Sequence, residues 1–230
     1  MNSDTILQAA ALIVPLIFAI VFHEVAHGLM ARRLGDPTAQ EQGRLSLNPL
    51  KHVDPLGTVI LPGFLALTHL PVFGWAKPVP VAASRLRHPR RDMMLVGAAG
   101  PGSNFIMAAI AALLLGLVLR PYGGAQEPAG AMGFLVLNLF NFISINVFLA
   151  LFNLLPIPPF DGSHIVEGLL PERAAHAYGK FRTVGMLIPI FLIIVLPFLI
   201  PGFSVTQYIL APVEWLVTGF LKLTALIVQA

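Results

Sequence analysis

The chain is 230 residues long, 57% hydrophobic and only 11% charged, where soluble domains are nearer half apolar and a quarter charged. With a mean hydropathy of +0.82, it reads as a mainly α, polytopic membrane protein forming a single domain over 1–230. It has no cysteine, which excludes disulfides and thiolate metal sites, so any metal must rest on His, Asp or Glu. The net charge of +3 does not indicate nucleic acid, because the basic residues flank apolar runs, where membrane topology accounts for them.

The first apolar run extends from Ile6 to Met30 and ends at Arg32–Arg33, with Gly35-Asp36-Pro37 as its stop signal. It is long enough to span the bilayer. It shows neither a basic start nor a small-residue cleavage site, so it is expected to be retained and not removed as a signal. Residues 36–92 are expected to be re-entrant and partly β. Thr58–Leu70 is apolar but short and broken by Pro62 and Gly63, and both its flanks are basic, so it should not cross. Gly74–Ser84 (GWAKPVPVAAS) suits an extended edge strand.

A second span is expected over Met93–Leu119, carrying small residues at Gly97–Asn104 that permit close helix approach. A third covers Ala131–Leu155 and breaks at Pro156-Ile-Pro-Pro-Phe-Asp161-Gly162. Short amphipathic helices should follow over 163–183. Two accessory apolar segments, Val184–Ile200 and Val205–Val228, end the chain.

The chemistry begins at HEVAH, residues 23–27. Residues i and i+4 share a helix face, so His23 and His27 can bind one Zn²⁺, with Glu24 beside it to take a proton from water. Ionisable groups in a membrane helix are costly and by default functional, and three within five residues need a shared partner. A catalytic zinc takes three protein ligands and an open position. His52, His69, His88, His164, His176 and the carboxylates are all candidates for the third. Asp161 is favoured, since it directly follows an apolar span in an irregular, proline-rich stretch. His164, three residues on, is a candidate for a supporting contact. Asn104 and Asn153 lie in apolar spans, where an amide either bonds another helix or contacts substrate. His52 reads as a solvated loop residue, and Trp75 as an interfacial anchor.

HEVAHG at 23–28, GPGSN at 100–104 and NLLPIPPFDG at 153–162 together resemble the site-2 protease family of intramembrane zinc metalloproteases. The stretches 43–58 and 74–81 are similar to its compact branch, which lacks PDZ and CBS domains. The likeness covers roughly residues 15–170; Phe160 stands where the family usually has Leu. The resemblance implies one zinc on His23, His27 and Asp161, with Glu24 as base. It also implies substrate or oxyanion contacts at Asn104 and Asn153, and a membrane-associated β-structure between the first two core helices. The substrate implied is a transmembrane protein segment, cut within or near the bilayer. Ala76–Ala83 is the candidate edge strand for holding it extended. Arg32–Arg33, one turn past His27, put the site toward the cytoplasmic face of a prokaryotic cell membrane. Two alternatives remain: a membrane-anchored zinc peptidase using Glu41 as third ligand, and a membrane metal transporter or scaffold.

Overall fold

The computed structural model describes residues 3–67, 75–123, 128–181, 185, 187, 191, 196–200 and 205–229. His69, Gly74 and most of the expected segment 184–200 lie outside the described residues. The helices are α1 (Ser3–Arg33), α2 (Thr38–Glu41), α3 (Leu61–Leu67), α4 (Pro89–Leu119), α5 (Gly130–Asn153), α6 (Asp161–Leu169), α7 (Glu172–Gly179), α8 (Leu196–Leu199) and α9 (Val205–Gln229). Among the described residues, four stretches are long and apolar enough to cross a membrane: 7–33, 89–122, 130–153 and 210–229. About 20 helical residues cover the roughly 30 Å hydrocarbon core. The protein is an integral membrane protein of mainly helical architecture.

The chain divides into two compact units. The first holds residues 1–19, 101–153 and 206–230. Its core is Ala108, Ala111, Ala112, Leu115, Ile143, Val147 and Val213. Helices approach closely there where small residues face a neighbouring helix: a Cβ on Gly116 would stand 2.7 Å from Ile227 Cβ, and Thr224 Oγ1 donates to Ala112 O at 2.9 Å. The second unit holds residues 20–100 and 154–205 and contains the whole HEVAH turn and Asp161.

Helix α1 stops where the sequence predicts. Gly35 takes φ +110, a conformation costly for residues with a Cβ. Asp36 N–H then reaches back to Ala31 O at 2.9 Å and Gly35 N–H to Arg32 O at 3.2 Å, the paired bonds that close a helix at a left-handed residue. Residues 163–183 contribute to α6 and α7, as expected from their amphipathic pattern.

The expected strand is a correction. Among the described residues there is no strand; residues 75–82 form neither helix nor strand. The reason lies in who takes their backbone groups. Lys77 N–H donates to His52 O, and Trp75 N–H to Gly57 O. Val79 N–H donates to a Glu24 oxygen, Ala82 N–H to an Asp36 oxygen, and the carbonyls of Lys77 and Pro78 accept from Arg44. Side chains and isolated carbonyls occupy the places of a ladder. Upstream, Pro55–Ile60 is a π-helical turn leading into α3, and Trp75 lies on Gly57, where a Cβ would come within 2.4 Å of the indole. His52 is a second correction: it is buried at 3% exposure, with Nε2 2.8 Å from Ser46 O.

Candidate metal centre

Three donor atoms converge in the second unit. His23 Nε2 and His27 Nε2 are 3.0 Å apart, and Asp161 Oδ2 lies 3.1 Å from the first and 3.2 Å from the second. Both histidines are buried. Among the described residues, these three form the one group of His, Cys, Asp or Glu side chains able to share a metal ion.

Each side chain is set by a local cause. The i, i+4 spacing on α1 puts both imidazoles on one face. His27 Nδ1 donates to Val96 O at 2.7 Å, which fixes the tautomer and leaves Nε2 as a bare lone pair. Val96 O lies on α4, one turn before Gly100. Helix α4 reaches the imidazoles closely only because residue 100 is glycine. A Cβ there would stand 2.4 Å from His27 Nε2 and 2.6 Å from His23 Cε1. Gly97 does the same toward α6, where a Cβ would lie 3.0 Å from Asp161 O.

Asp161 is the first residue of α6, where the positive end of the helix dipole favours a carboxylate. The proline-rich turn before it folds back tightly. A Cβ on Gly162 would meet Leu154 O at 2.2 Å, so this approach needs glycine.

The donor set fits a divalent cation. His27 Nε2 and Asp161 Oδ2 are both electron-pair donors, and Asp161 Oδ2 is buried without a hydrogen-bond partner. Such groups repel one another unless a cation sits between them. The edges of 3.0–3.2 Å approach the roughly 3.3 Å edge of a tetrahedron with ligands about 2.0–2.1 Å from zinc. Three protein ligands would leave one corner open.

Glu24 follows His23 on α1, and its Oε2 accepts from Val79 N–H at 2.7 Å. Glu41 is outside the triangle; it pairs with Arg85 at 2.6 Å on the surface. His164 packs its Cβ toward Gly97, 3.1 Å from where a Cβ would be. His88 and His176 are exposed. Asn104 and Asn153 belong to the first unit. Asn104 is fully buried and donates to Ala19 O at 3.2 Å and Asn146 Oδ1 at 2.8 Å. Asn153 donates to Leu149 O in its own helix. Sequence reasoning missed Val96 O and Val79 N–H, which are backbone groups. Only the Pro78-Val79-Pro80 pattern hinted at the second, since it isolates one N–H between two residues that have none.

The family model described as Peptidase family M50 matches residues 11–196. A protein of Bacillus subtilis (strain 168), YwhC, named as a candidate zinc metalloprotease, is 39% identical over 178 residues, 77% of either chain. Rip2 of Mycolicibacterium smegmatis (strain ATCC 700084 / mc(2)155), named likewise, is 30% identical over 179 residues, 77% of this chain and 64% of that protein. No solved structure matches at a significant level.

Proposed function

This chain belongs to peptidase family M50, and we propose that it is a zinc endopeptidase that cuts transmembrane segments of membrane proteins within or near the bilayer. One zinc per chain rests on His23, His27 and Asp161, and Glu24 is the catalytic acid and base. The observation that carries this reading is the triangle of donor atoms from α1 and α6, with edges of 3.0–3.2 Å.

A zinc ion held by these three residues supplies Lewis acidity: it lowers the pKa of water and polarises a carbonyl oxygen. The protein's own groups do the rest. The Val96 carbonyl holds the His27 ring in its ligating tautomer. Glu24 takes the proton of the attacking water and returns it to the leaving amine. Only one Glu24 oxygen is engaged by Val79 N–H, and the other carries the proton. Asn104 and Asn153 are assigned to substrate or oxyanion contacts, for which Asn104 must release its bond to Ala19 O or Asn146 Oδ1, and His164 to support of the Asp161 turn.

The membrane-embedded substrate is supported by where the HEVAH turn sits, on a helix whose outer face is apolar and exposed at Leu12, Ile13, Ile17 and Phe18. Arg32 and Arg33 in the last turn of α1 support a site near the cytoplasmic end. The test is Glu24→Gln in purified protein with a membrane-segment substrate. Cleavage should disappear while zinc content stays at one per chain. Wild-type cleavage by that variant, or zinc-dependent metal flux in proteoliposomes that survives it, would overturn the reading.

A further inference from the structure

We infer that Arg44 is a positioning residue for the Glu24 carboxylate, acting through the single peptide unit between Pro78 and Val79. The inference rests on the assignment of Glu24 as the base. That peptide is gripped at both edges. Its N–H donates to Glu24 Oε2 at 2.7 Å. Its carbonyl accepts from Arg44 Nη2 at 3.3 Å, and the same nitrogen donates to the preceding carbonyl, Lys77 O, at 2.8 Å. A guanidinium on one edge and a carboxylate on the other polarise a peptide in the same sense, so each bond strengthens the other.

Arg44 is unusual on its own terms. It is buried at 8% exposure, and among the described residues no carboxylate pairs with it. Its Nε is buried without a partner. Burying an unpaired guanidinium is costly, and what compensates it at Nη2 is the pair of carbonyls of Lys77 and Pro78 in the extended strap formed by residues 75–82. The strap is stiff for independent reasons. Pro78 and Pro80 fix their own φ and restrict Lys77 and Val79 to extended conformations. Lys77 N–H is tied to His52 O at 2.9 Å. Val79 is buried against the HEVAH helix, with its Cγ1 2.9 Å from where a Cβ on Gly28 would lie. So Val79 N–H is the one donor between two prolines, and it is presented to Glu24 at a fixed place. Displacing it lets the carboxylate swing, and a small misplacement of a catalytic group costs rate more than binding.

The experiment compares Arg44→Met, Arg44→Lys and Val79→Pro with the wild type in the zinc-loaded, detergent-solubilised full chain. Two readouts are used: hydrogen exchange at the Val79 amide, and the separate kcat and KM for a membrane-segment substrate. Zinc content is measured in parallel. Arg44→Met should speed exchange at Val79 and lower kcat about tenfold to a hundredfold with KM little changed. Arg44→Lys, which keeps a cationic donor on a different, non-planar head group, should recover part of both. Val79→Pro, which deletes the N–H and leaves the arginine, should lower kcat similarly while keeping zinc. Unchanged Val79 protection in Arg44→Met, or a full kcat in Val79→Pro, overturns the inference. So does a rise in KM alone. The exchange arm needs no proteolysis. A wild type that cleaves nothing would therefore sink the peptidase assignment, while the Arg44–Val79 coupling would still be read.

Discussion

Asn141 donates its side-chain amide to Ala11 O at 2.8 Å, and Ala11 is the residue whose carbonyl Pro15, inside α1, leaves without its helical donor. In hydrocarbon an unmet carbonyl has no water to turn to. An asparagine on α5 therefore repairs a proline on α1. Asn141→Ala should cost about 1 kcal/mol of stability in detergent or bicelles. In a Pro15→Ala background, where residue 15 regains its N–H, the same change should cost much less. Equal costs in the two backgrounds, read from thermal or denaturant unfolding, would mean that the bond does not compensate the proline.

Gly100 yields a second prediction with a built-in control. A Cβ at 100 would stand 2.4 Å from His27 Nε2, whereas a Cβ at Gly102, two residues on in the same helix, would meet nothing within 4 Å. Gly100→Ala should abolish or strongly weaken zinc binding by pushing the imidazole off its position. Gly102→Ala should bind zinc normally and gain helix stability, by up to about 1 kcal/mol. Metal analysis after dialysis against a weak chelator checks both. Normal zinc in Gly100→Ala would show that the ring yields without cost.

The parts of the candidate site that are legible in the sequence are those that break a local rule. His23, Glu24 and His27 stand out because an apolar helix has no other use for them, and Asp161 because a carboxylate follows a long apolar span. Gly97 and Gly100 read correctly as points of close approach, but a glycine does not name its neighbour, and the imidazoles became visible only in three dimensions. The strap at 75–82 shows the opposite case. Alternating valines and prolines predict a strand, since both favour extended backbone. Strand formation also needs a partner strand, and here Glu24, Asp36 and Arg44 occupy the hydrogen bonds. Side-chain-to-backbone pairings between distant residues leave no periodic trace. In the sequence Arg44 reads only as one of the basic residues flanking Thr58–Leu70, and His52, beside a lysine, reads as solvated.

The identity of the third ligand separates this centre from a peptidase site built on Glu41. Asp161→Ala removes one of three donors and leaves two imidazoles, so zinc retention should fall below one per chain. Glu41→Ala only breaks an exposed pair with Arg85, and exposed pairs contribute little. It should keep full zinc and full activity. Zinc lost from Glu41→Ala and kept by Asp161→Ala would reverse the assignment.

Asp36 gives the protein a predictable response to acid. Burial would raise its pKa, but the Thr38 hydroxyl, the Ala82 N–H and the Thr38 N–H all donate to the carboxylate, and with the Arg85 charge they hold it below the ordinary 3.8. A carboxyl whose pKa is lower when folded contributes stability in full above its unfolded pKa, and loses it as pH falls through the folded one. The bond to Ala82 ties the end of the strap that holds Glu24 through Val79. At neutral pH, Asp36→Asn should be less stable than wild type by about 1.5–3 kcal/mol, the range for hydrogen bonds to a charged group. Below pH 3.8 the gap should narrow as wild-type Asp36 takes up its proton, because the other carboxylates are common to both proteins. Unfolding midpoints of the pair between pH 7 and 3 test this, and a gap independent of pH would show that the charge of Asp36 does not hold the strap.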